Sequence, residues 1–63
     1  MSYFLVVYLA GHLTAFLGPM THPDECEASL TGFHSVEDMP KEIHAFCDLR
    51  PVAPEIGEME NEQ

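Results

Sequence analysis

Residues 3 to 20 read YFLVVYLAGHLTAFLGPM and hold no carboxylate, lysine or arginine. In a chain of 63 residues such a run either sits in lipid or supplies the core. A spanning helix needs about 20 apolar residues, and the length nearly suffices. The interior does not. Gly11-His12 interrupts the middle, Thr14 follows, and Gly18-Pro19 closes the end. No cationic residue flanks the run to set an orientation or to form the basic start of a secretory signal. The expectation is neither a membrane anchor nor a signal, but two strands.

Tyr3 to Leu9 is rich in β-branched and aromatic residues, which suit a pleated and buried surface. Gly11 can take the positive φ of a tight turn, so Gly11-His12 is expected as a II′-type connection. Leu13 to Leu17 then returns antiparallel, and Gly18-Pro19 ends the strand. That turn sets Tyr8 against Ala15, Val7 against Phe16 and Val6 against Leu17. Both faces of the first strand are apolar, so each needs a cover. A helix is expected on one side, and a partner or second copy of the chain on the other.

Thr21-His22-Pro23-Asp24 has the form of a helix start, with Thr21 as cap, Pro23 in the first turn and Asp24 near the capping-box position. Cys26, Leu30 and Phe33 repeat at i, i+4 and i+7, a narrow apolar stripe that can lie on the hairpin. Gly32 marks the stop, giving a helix over residues 22–33. Residues 41–49 read two ways. As a strand, Ile43, Ala45, Cys47 and Leu49 alternate with polar residues, and only Phe46 breaks the pattern. As a helix, Met39, Ile43, Phe46 and Cys47 share a face. The strand is preferred, because a two-stranded ribbon alone is marginal in water. The fold expected is therefore a small α+β domain: hairpin, helix, then a third antiparallel strand or second helix, a ββαβ body over residues 1–50. Residues 51–63, rich in Pro and Glu, form an acidic extension too poor in apolar residues to order itself alone.

Cys26 and Cys47 are either two reduced core residues or one bridge. Their neighbours His22 and His44 complete a Cys₂His₂ set, but the usual zinc spacings are missing, so no metal is expected. A cysteine enzyme would need a pocket, an orienting group and an oxyanion site, and Asp24, Glu25 and Glu27 would raise a thiol pKa rather than lower it. No catalytic residue and no cofactor are expected.

The charge is more informative. Eleven Asp and Glu stand against Lys41 and Arg50, a formal net of −9, and every acid lies at or beyond Asp24. Such a surface repels nucleic acid and anionic lipid and attracts basic protein surfaces. Solubility of a small domain needs a net charge of only about 2 to 8, and the excess costs stability through self-repulsion. Carboxylates spaced like phosphates would put that cost to use by occupying a basic nucleic-acid-binding groove. The candidate phosphate surrogates are Asp24, Glu25, Glu27, Glu37, Asp38, Glu42 and Asp48.

In length, in the charge from Asp24 to Glu62 and in the hairpin-plus-helix layout, the chain resembles the small acidic inhibitors that bacteriophages encode, the anti-CRISPR proteins among them. The group shares no motif, so no residue role is carried over. The resemblance implies a stoichiometric DNA mimic in the cytoplasm of a bacterial host, blocking target binding by a CRISPR surveillance complex. The alternative is a structural or oligomerising module. It would homodimerise through the apolar hairpin, where Tyr3, Val7 and Phe16 would matter and the acidity would be incidental.

Overall fold

The computed structural model of the chain describes residues 1–36 and 40–60. Strand β1 (Ser2–Leu9) pairs antiparallel with β2 (His12–Met20) on one side and with β3 (Ile43–Arg50) on the other, giving the sheet order β2-β1-β3. One helix, α1 (Pro23–His34), joins β2 to β3. This is the expected α+β layout, with the third segment a strand. No helix among the described residues is long and apolar enough to cross a membrane.

The hairpin turn sits one residue earlier than expected. Ala10 and Gly11 both have positive φ, 54° and 87°, as a type I′ turn requires, and Leu9 faces His12. A register irregularity between Val7 and Tyr8 then sets Val7 against Ala15, Val6 against Phe16 and Leu5 against Leu17. The irregularity has a packing reason. It brings Leu13 and Phe16, three apart and of opposite parity, onto the same face as Phe4, Val6 and Tyr8. A straight ladder would have sent one of them to the other side. Nor does Gly18-Pro19 end the strand, which runs on until Met20 pairs with Tyr3. Gly18 has φ +141°, and a Cβ there would lie 2.7 Å from the Phe4 ring and 3.0 Å from the Tyr3 carbonyl, so only glycine lets the strand pass this close. Pro19 is tolerated because β2 is an edge strand.

The helix start also differs in detail. His22, not Thr21, is the N-cap; it makes no side-chain cap, and Pro23 begins the helix with its φ preset. At the other end Ser35 closes the helix, donating its N–H to the Thr31 and Gly32 carbonyls and its hydroxyl to the Gly32 carbonyl at 2.8 Å. The stripe of Cys26, Leu30 and Phe33 packs as expected, on Leu5, Val7 and Ala45. Cys26 is joined to Cys47 by a disulfide across 21 residues of chain, so the helix is bolted to β3 under its first turns.

The opposite face of the sheet has a cover that the sequence reading did not foresee. Phe4 and Tyr8 are each only 2% exposed there. Ser2 faces Arg50 and Leu9 faces Ile43, so the chain leaves β3 at the end far from the hairpin turn. It reappears beside the turn: Gly57 N–H donates to Leu13 C=O at 2.7 Å, Leu13 N–H to Glu58 C=O at 2.8 Å, and Glu60 N–H to Gly11 C=O at 2.8 Å. Residues 51–60 thus run diagonally from one sheet edge to the other, over the face that carries Tyr8. Pro54 is buried on the way. Ile56 and Met59 stay 63% and 52% exposed.

Candidate functional site

The acidic positions distribute themselves by the logic of the sheet. Asp24, Glu25 and Glu27 occupy the first turns of α1, all exposed, because Cys26 takes the inward direction between them. Asp24 and Glu25 lie where the helix dipole favours negative charge. Glu42 is exposed too, but it precedes β3 at the hairpin-turn end, where its carbonyl accepts from Ala10 N–H. The helix begins at the other end, three residues past the Met20–Tyr3 pair. Those two groups therefore lie apart, one at the start of α1 and the other at the turn end of β3. Glu37 and Asp38 lie outside the described residues.

Asp48 is half-exposed and is engaged by a neighbour instead. Its Oδ2 accepts from Arg50 Nε at 2.7 Å. The same guanidinium reaches Glu58 through Nη1 at 2.8 Å and donates from Nη2 to the Tyr8 hydroxyl at 3.2 Å. The hydroxyl in turn donates to Glu58 at 3.5 Å. The bond to Asp48, then Glu58, holds Arg50 firmly in its charged form against the cost of its burial. Beside this cluster the Tyr8 ring stacks on Phe46 with centroids 5.8 Å apart and planes 10° off parallel. His44, farther along β3, pairs with Glu60. The cluster fastens the C-terminal segment; sequence reasoning missed it because its members are 42 and 8 residues apart.

The consequence for the surface is direct. Of the two cationic side chains, Arg50 spends its charge inside on Asp48 and Glu58, while Lys41 is exposed. Asp24, Glu25, Glu27, Glu42 and Glu55 are all exposed. Among the described residues the exposed charge is thus mostly anionic, with three carboxylates together at the start of α1.

The disulfide leaves neither Cys26 nor Cys47 as a thiolate to bind a metal or attack a substrate. Among the described residues, no three metal-capable side chains gather and the surface has no pocket.

Tyr8 offers a way to follow the cluster. Burial, then the Glu58 carboxylate, push its phenol above the ordinary value of 10, and Arg50 opposes them. Folding therefore favours the neutral phenol. That stabilisation is complete below pH 10 and is lost as pH rises through the folded-state value. In Tyr3→Phe, which leaves Tyr8 as the sole tyrosine, phenolate absorbance should rise later than in an unfolded control. A midpoint at or below the control's would refute this.

No protein-family profile, curated protein or solved structure matches this chain.

Proposed function

We propose that the protein is a stoichiometric acidic inhibitor that docks on the basic nucleic-acid-binding groove of a host complex, as anti-CRISPR proteins of the DNA-mimic type do. It acts without catalysis or cofactor, in the bacterial cytoplasm. The observation carrying this reading is the placement of Asp24, Glu25 and Glu27 on the outer turns of a helix whose inner side, Cys26, Leu30 and Phe33, packs on the sheet. A rigid support lets exposed carboxylates meet a row of Lys and Arg without first being ordered, which lowers the entropy cost of docking. Glu42 and Glu55 extend the anionic surface, and the internal use of Arg50 keeps a positive charge from the outside. Asp48 serves here by holding Arg50 rather than by meeting the partner.

The rival reading, docking through the hairpin faces, has less to work with. Val7 lies under α1, and Tyr3 and Phe16 are half-buried.

A pull-down from a bacterial host lysate, washed at low and high salt, tests the proposal. Binding to a nucleic-acid-binding complex should fall with salt. Reversing Asp24, Glu25 and Glu27 to Lys should weaken it about tenfold and flatten the salt dependence. Binding that survives high salt, or is indifferent to the reversal, would refute it.

A further inference from the structure

The two edges of the sheet are built differently. On the outer side of β2, Leu13 is bonded to Gly57 and Glu58, and the strand carries Gly18, Pro19 and two register irregularities. Such features keep other strands from pairing. The outer edge of β3 has none of them. Its eight residues pair with β1 without interruption, it holds no proline or glycine, and no described residue pairs with its outer side. Glu42 C=O accepts from Ala10 N–H within the β1–β3 ladder, while Ile43 N–H turns away to Pro40 C=O. Even-numbered residues of β3 therefore bond to β1, and Ala45, Cys47 and Leu49 direct their N–H and C=O outward.

The charges beside this edge select what can lie on it. Its own positive groups are committed within the chain: Arg50 to Asp48 and Glu58, and His44 to Glu60. The Arg50 cluster sets two carboxylates against one guanidinium, so it stays net negative, and the Asp48 side chain is 37% exposed. Glu42 stands exposed just before the strand. Near the other end, the disulfide holds the Cα of Cys26 6.1 Å from that of Cys47, which sets the exposed Asp24, Glu25 and Glu27 turn beside β3. Lys41 is the only other cationic side chain of the protein. The open backbone groups thus run between carboxylates at both ends.

We propose that the β3 edge receives an extended segment of the partner, bearing lysine or arginine, as a fourth strand bonded to the backbone of Ala45, Cys47 and Leu49. Cations on such a strand meet Glu42, Asp48 and the helix-start carboxylates, and opposite charges across neighbouring strands are favourable. On the α1 side it lies against Ile43, Ala45 and Leu49, the last 46% exposed, which suits apolar side chains between the cations. A second copy of the chain supplies none of this. It carries the same net charge of −9 and its β3 guanidinium is already committed. The inference rests on the inhibitor reading and deepens it: the basic partner is held by main-chain bonds along β3 as well as by charge.

Three end-blocked synthetic peptides, titrated at low salt against the isotopically labelled protein, test it. The first is Lys-Val-Lys-Thr-Lys-Val-Lys. The second has proline for both valines, which keeps the charge but removes the capacity to pair as a strand. The third has glutamate for every lysine. The first should bind and slow the hydrogen exchange of the Ala45, Cys47 and Leu49 amides, leaving those of β2 unchanged. The proline peptide should bind about tenfold more weakly, and the glutamate peptide should leave the three amides unprotected. Leu49→Pro, which removes an outward N–H, should weaken the first peptide about tenfold; if that variant does not fold, the comparisons on the wild type decide. Equal binding of the first two peptides, or no protection of the three amides, would overturn the proposal, while salt-sensitive capture of a complex from lysate would leave the inhibitor reading standing. Equal protection by the glutamate peptide would overturn the choice of a basic occupant. A lysate pull-down that captures no nucleic-acid-binding complex would end both.

Discussion

Replacing Cys26 and Cys47 together by alanine should cost about 3 kcal/mol of folding stability, the value expected for a bridge closing 21 residues of chain. A domain of 63 residues has only about 3 to 9 kcal/mol in total, so the loss is a large share of what holds it folded. For a chain of this size it corresponds to a melting temperature lower by roughly 20 °C. Little else stands ready to compensate. Beyond Cys26, the helix meets the sheet through Leu30 and Phe33, both only half-buried. Thermal melts of wild type and double variant, and of wild type with and without a reductant, measure the effect. A shift of under about 5 °C would mean that apolar packing alone seats the helix. The result also bears on the proposed site. With the bridge open, the Asp24–Glu27 turn would no longer be a fixed support, and partner binding should fall with it.

The pattern of the chain shows why some of this was legible from sequence and some was not. Hairpin, helix and third strand each leave a local mark: Gly11 for the turn, the Cys26–Leu30–Phe33 stripe for the helix, and the alternation of Ile43, Ala45, Cys47 and Leu49 for the strand. Register leaves a weaker one. Gly11 alone suits either of two turns, and only the demand that Leu13 and Phe16 share a face with Tyr8 decides between them. Phe46 was the residue that broke the alternation of β3, and it did so because that face is covered as well. The cover came from a segment whose composition argued against order. Pro51 to Glu60 does not order itself; it is ordered by β2 carbonyls and amides and by Arg50. The same blindness affected the acidic set. Sequence could count carboxylates, but not see that Asp48 is paired with Arg50 while Asp24, Glu25 and Glu27 are exposed.

Arg50 is therefore the residue whose loss should reveal most about the covered face. Arg50→Met keeps much of the side-chain volume but leaves Asp48 and Glu58 without their shared cation, beside a Tyr8 hydroxyl 2% exposed as a residue. Breaking a fully buried pair by removing one partner costs about 3 to 5 kcal/mol. The Arg50 side chain is 21% exposed, and its partners 37% and 26%. Solvent screening brings the expected loss down to about 2 kcal/mol. The damage should be local before it is global. Gly57 and Leu13 amides, which bond across the segment, should exchange faster in the variant, and residues 51–60 should become the first site of proteolysis, while α1 stays protected by its disulfide. A cycle with Glu58→Gln separates the pair from the packing: Arg50→Met should cost distinctly less in that background, because the carboxylate it strands is already gone. If the two changes simply add, Arg50 stabilises through its methylenes and Asp48 alone, and the clasp between the two ends of the sheet face is Pro54 rather than the ion pair.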